Sequence, residues 1–102
     1  IQWALQLEEV GATVIYGLAQ LKVHCKFLMI TRKEKNGVKR YVHLGTGNYN
    51  EKTSNLYTDM GLLTSRDELT YEASLFFNSA LSRPTFFISN SILLIGSDEN
   101  LF

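Results

Sequence analysis

Apolar positions along the chain fall into blocks of two different periods. In "IQWALQLEEVG" Trp3, Leu7 and Val10 recur at helical spacing, and Gly11 stands where a helix would stop. This segment reads as the tail of an amphipathic helix. "ATVIYG" is a short β-branched run closed by Gly17, and "HCKFLMITRKE" is a longer one whose middle is apolar on both faces, so both predict interior strands. Asn36-Gly37 then separates two strand-like runs. Both residues tolerate positive φ, so the strand that begins at His24 is expected to turn back into a second strand over Val38 to Leu44.

The returning strand runs into "GTGNYN", a glycine-bearing turn, and "EKTSNL" can form a short helix with Asn50 as its N-cap. Further on, Ser65 and Glu68 have capping-box spacing, and Leu69, Ala73, Phe76, Phe77 and Ala80 form a helical stripe behind them. Arg83-Pro84 should end that helix. A last apolar run, Phe86 to Ile95, predicts another buried strand whose partner the pattern does not name. The expected fold class is α/β, a mixed β-sheet with packed helices, and neither an internal repeat nor a low-complexity linker interrupts it.

Composition narrows the function without naming it. The chain has 102 residues, 45% of them hydrophobic, which fits one small packed domain. It begins at Ile1 and ends on "DENLF" after the run "SILLIG", and both ends read as cut from something longer. Ten basic and ten acidic residues cancel to a formal net charge of zero, so no global field would gather nucleic acid, and an anion site must be local. The single Cys25 cannot close an internal disulfide, no run approaches the ~18 apolar residues of a membrane span, and a cytoplasmic setting is the expectation.

Two segments could carry chemistry. In a strand His24 and Lys26 point to the same face, with Cys25 and Phe27 on the other. If the hairpin forms, the start of its first strand lies beside the end of its second, which brings His24 and Lys26 next to Gly45, Thr46, Gly47 and Asn48. Glycines admit an anion to backbone N–H groups, Asn48 adds an amide donor, and Lys26 adds an ammonium. A neutral imidazole in such a site can attack phosphorus, and the donors can stabilise charge on the phosphoryl oxygens. Phosphoryl transfer is the chemistry that suits these groups. His43, between Val42 and Leu44, reads as a structural donor, and Cys25 as a small hydrophobe. Arg32, Lys33, Lys35, Lys39 and Arg40, diluted by Glu34, read as a solvated hairpin tip.

"HCK" with "GTGN" resembles one half of the phospholipase D superfamily signature, His-x-Lys followed by Gly-Ser-x-Asn. An aspartate follows the lysine in that superfamily, and Thr31 occupies its place here, which argues against an ordinary phosphodiesterase. The longer strings "WALQLEEVGATVIYGL", "LKVHCKFLMITRKE" and "RYVHLGTGNYNEKTSNLYTDMGLLT" closely resemble the first catalytic domain of bacterial polyphosphate kinase, over positions 1 to 66, with "LFFNSAL" a looser match beyond. After "SILLIG" the family usually continues through a proline and an arginine, whereas this chain reads "SDENLF".

The resemblance implies that residues 1–102 are a partial phospholipase D-like catalytic domain, a half-domain of a longer kinase chain. It implies reversible transfer of the terminal phosphate of ATP to polyphosphate through a phosphohistidine, with magnesium. By position His24 matches the phosphorylated histidine and Tyr57 the tyrosine that contacts the nucleotide base, while Lys26 and Asn48 match phosphate-facing positions of the broader superfamily, with Gly45, Thr46 and Gly47 as the phosphate-binding turn between them. Arginines for phosphate and magnesium would lie upstream, and a second histidine in a following domain. The implied partners are ATP, ADP, polyphosphate and the remaining domains of the parent chain, in a homo-oligomer. Two alternatives are a phospholipase D-type nuclease completed by homodimerisation, and an inactive anion-binding module when the piece is isolated.

Overall fold

A nine-residue pairing organises the sheet. Strand β1, Lys26–Glu34, pairs antiparallel with β2, Gly37–Gly45, from Lys26 opposite Gly45 to Glu34 opposite Gly37. The computed structural model describes residues 2–15, 24–81 and 91–95. The turn residues are Lys35 and Asn36, one position earlier than an Asn36-Gly37 loop, because Gly37 itself takes φ 115° while paired with Glu34. At the tip Arg32, Lys33 and Lys35 are exposed, Tyr41 donates to Glu34, and Lys39 reaches Asp67 at 3.7 Å.

Ahead of the hairpin, helix α1 spans Gln2–Glu9. Its end is a Schellman turn: Ala12 N–H donates to Leu7 O at 3.0 Å, Gly11 N–H to Glu8 O at 3.0 Å, and Gly11 takes φ 96°. The stop at Gly11 is as expected. The stripe is not, since Trp3, Leu7 and Val10 are exposed and the buried position is Ala4. Residues Ala12 to Ile15 form no strand, so the strand expected over "ATVIYG" is absent as far as Ile15, and Tyr16 and Gly17 lie outside the described residues.

After β2 come α2, Glu51–Ser54, then β3, Gly61–Thr64, α3, Asp67–Leu81, and β4, Ser91–Ile95. Asn50 caps α2, its Oδ1 accepting from Lys52 N at 2.9 Å and Thr53 N at 3.3 Å. The sheet order is β3-β2-β1-β4. Each of the three described pairings is antiparallel, so the sheet is not the mixed one expected. The hairpin sets β2 against β1, and the two edge strands, β3 on β2 and β4 on β1, each run against the neighbour they join. The late apolar run thereby finds its partner, although only Ser91–Ile95 of the expected Phe86–Ile95 is described.

Helix α3 covers one face. Its Ala73 and Phe77 join Met29 and Val42 as the buried core, with Phe27 and Leu44 packed against them. Phe27 meets Phe76 edge-on at 5.3 Å between ring centroids and stacks on Phe77 at 5.8 Å. The buried stripe is Thr70, Ala73, Ser74 and Phe77, so Leu69 and Phe76 lie outside its centre. The two hydroxyls are buried at little cost because each donates along the helix, Thr70 to Asp67 O and Ser74 to Tyr71 O. The capping box does not form: Arg66 O accepts the first helical N–H, and Glu68 turns to the Arg66 guanidinium at 3.1 Å. Arg83-Pro84 lies outside the described residues. Replacing Phe77 by alanine should cost about 3–5 kcal/mol, read as a lowered urea midpoint of the 102-residue chain. Among the described residues no helix is long and apolar enough to cross a membrane.

Candidate functional site

The face of the sheet away from α3 carries the candidate residues Lys26 and His43. Because side chains alternate, Lys26, Leu28, His43 and Gly45 share one face, while Phe27, Met29, Thr31, Val42 and Leu44 share the other. His24 and Cys25 precede β1 rather than open it. Even so, His24 meets Lys26 as the alternation requires. The Lys26 Nζ lies 3.3 Å from His24 Nδ1 and 3.4 Å from Nε2. The two ring nitrogens point apart in the ring plane, so an atom equally close to both sits against the ring and not on the one lone pair that a neutral imidazole offers. Lys26 is only 5% exposed, and no carboxylate among the described residues pairs with it, whereas His24 is exposed.

The hairpin delivers the glycine turn to this point, since Lys26 is opposite Gly45 and Gly45 is in turn opposite Gly61 of β3. Beyond Gly45 the chain stays tied to the end of β3. Thr46 N–H donates to Met60 O at 2.9 Å and Met60 N–H to Thr46 Oγ1 at 2.9 Å. The Thr46 amide is thus committed to the fold. A Cβ at Gly47 would lie 2.1 Å from Asp59 Oδ2, so the carboxylate fills the side of the turn that the glycine leaves open. Thr46 Oγ1 donates to Asp59 Oδ1 at 3.3 Å. Asn48 Oδ1 is buried without a hydrogen-bond partner, an acceptor left unsatisfied among the described residues.

His43 stands inside this arrangement. Its Nδ1 is 2.7 Å from Tyr49 Oη, and its ring lies over two glycines. A Cβ at Gly61 would meet His43 Nε2 at 2.8 Å, and one at Gly45 would meet Cε1 at 3.3 Å. Burial, and after it the nearby Cys25, hold the Tyr49 phenol above its ordinary pKa of 10.0, so it keeps its proton at neutral pH.

His24, Lys26 and Gly45 therefore come together, and Thr46, Gly47 and Asn48 continue from them in one turn. Tyr57 stands apart on the loop before β3, 68% exposed. Asp59 and Tyr49 escaped the reading of the sequence. Asp59 reaches Gly47 through the β2–β3 register, and that register depends on the four-residue β3, too short to show a period-2 pattern. Thr31 is buried on the α3 side, so a carboxylate at that position would lie on the face opposite Lys26. Among the described residues no group of three or more His, Cys, Asp or Glu could hold a metal ion.

Residues 1–84 match the family model described as polyphosphate kinase C-terminal domain 1. A polyphosphate kinase of Lactiplantibacillus plantarum is 51% identical over 89 residues, which cover 85% of this chain and 12% of that protein. One of Exiguobacterium sibiricum is 53% identical over 78 residues, covering 76% of this chain and 11% of that protein. One of Prochlorococcus marinus is 54% identical over 78 residues, with the same two shares of 76% and 11%. The chain thus spans only a small part of the length of the curated relatives it matches. No solved structure matches the chain.

Proposed function

The chain belongs to the polyphosphate kinase family through C-terminal domain 1, and from that premise we propose that it is part of an enzyme that moves the terminal phosphate of ATP reversibly onto polyphosphate, with His24 as nucleophile. A ring nitrogen of His24 attacks the terminal phosphorus, an N–P bond forms as the P–O bond to ADP breaks, and ADP leaves with the electron pair. A terminal oxygen of polyphosphate then attacks the phosphohistidine, the N–P bond breaks, and the free imidazole is restored. Lys26 supplies positive charge to the phosphoryl oxygens, the turn from Gly45 to Asn48 supplies polar donors, and Tyr57 meets the base.

The observation that carries this reading is the Lys26 ammonium 3.3 Å from the His24 ring, in the row that pairs Lys26 with Gly45 at the start of the glycine turn. The described residues hold no group of three or more His, Cys, Asp or Glu for a metal ion, and the magnesium ligands are proposed to lie elsewhere in the parent chain. The sheet with α3 on one face is, in this reading, a phospholipase D-like half-domain, and the second histidine comes from elsewhere in the parent chain. The full-length kinase incubated with γ-labelled ATP and digested should carry acid-labile phosphate on the peptide that contains His24. Label confined to other peptides would overturn the assignment.

A further inference from the structure

Resting on that reading, we propose that Tyr49 is a positioning residue of the transfer reaction: its hydroxyl, held on His43 Nδ1, closes the segment 43–49 into a clasp that sets the phosphate-facing turn. Three independent features of the structure support the clasp. The first is the bond itself, 2.7 Å between Tyr49 Oη and His43 Nδ1.

The second is that His43 cannot follow if the turn drifts. Its position in β2 is fixed by pairing with Leu28 on one side and Leu63 on the other, and its ring is seated over Gly45 and Gly61. A methyl group at Gly61 would stand 2.8 Å from Nε2 and push the ring away, so the two glycines make room for an imidazole in one place. The anchor is part of the sheet. The third feature is what the clasp encloses, since Gly45, Thr46, Gly47 and Asn48 all lie between its two ends.

One side of that turn is already tied to β3 through Thr46 and Met60. Asn48 lies beyond these ties: its carbonyl accepts from Asn50 N–H at 2.8 Å, its side-chain Oδ1 has no partner, and it is bonded covalently to Tyr49. Tyr49 therefore ties to the sheet the end of the turn that the Thr46–Met60 bonds do not reach. The two rings also touch, with centroids 5.6 Å apart at 46°. A phenylalanine would keep that contact and lose only the bond, which separates packing from positioning.

The test uses the full-length kinase with Tyr49→Phe. We expect kcat to fall roughly ten- to hundredfold, as a displacement of about 1 Å does in a site built on position. The KM for ATP and the thermal midpoint should stay at wild-type values. The ¹⁵N resonance of His43 Nδ1 should shift as its partner is lost. His43→Gln should cost kcat as well, and the double variant should be no worse than the more impaired single one. Wild-type kcat in Tyr49→Phe, or a loss that follows the fraction of unfolded protein, would overturn the clasp. The wild-type control separates the two readings: phosphate on His24 with full turnover in Tyr49→Phe removes the clasp alone, whereas a wild type never phosphorylated on His24 removes both.

Discussion

Full-length kinase carrying His24→Ala should, on the proposed mechanism, form no phosphoenzyme and make polyphosphate at least about four orders of magnitude more slowly, because removing the proposed nucleophile removes the covalent route and not one contact within it. The residual rate would come from groups that still hold the substrates in place. Folding should be untouched. His24 is exposed, precedes β1, and contributes no backbone pairing to the sheet. The melting midpoint should therefore match wild type, which distinguishes this loss from a folding defect. His24→Gln should behave alike, since a carboxamide donates and accepts hydrogen bonds but does not attack phosphorus at neutral pH. Rapid-quench labelling with γ-labelled ATP is the decisive measurement, and a burst of acid-labile phosphate in either variant would remove His24 from the mechanism.

What the sequence made legible were features set by local rules. The hairpin was readable from the two strand-like runs around Asn36-Gly37, and it brings Lys26 beside Gly45. A two-residue Asn36-Gly37 loop would have put Lys26 opposite Gly47, so the face was readable and the register was not. Asn50 and Gly11 were readable because a cap and a Schellman glycine act within a few residues. The errors arose where a local signal met a tertiary competitor. Ser65 and Glu68 have the spacing of a capping box, but Arg66 offers Glu68 an ion pair and its own carbonyl starts the helix. Thr70 and Ser74 did not look like core residues because their hydroxyls are polar, yet each is satisfied within α3.

The candidate site was legible by the same division. His24 and Lys26 are two residues apart, and period-2 geometry alone puts them together. Asp59 is twelve positions from Gly47, across two loops and a short helix, and is brought back by a strand with no visible pattern. Tyr49 is near in sequence, but its role depends on His43, whose place is fixed by pairing on both sides. The first kind of proximity is written in spacing. The second exists only once the sheet has formed.

Lys26→Met in the full-length enzyme should separate function from folding, by moving the two in different directions. Lys26 is 5% exposed, its ammonium touches an imidazole, and it has no carboxylate partner among the described residues. A buried ammonium without a counter-charge opposes folding, and methionine keeps most of the apolar stem while removing that charge. The unfolding midpoint should therefore hold or rise. Turnover should fall about 10²–10³-fold, the usual cost of removing one preorganised group that stabilises developing charge. Lys26→Arg should not restore it, since the planar guanidinium is larger and presents its donors in a different geometry from a compact ammonium beside the ring. Kinetics and thermal unfolding on the same preparations decide the matter. A midpoint that drops together with turnover would make Lys26 a prop for the strand end, and its burial without a counter-charge would then have no part in phosphoryl transfer.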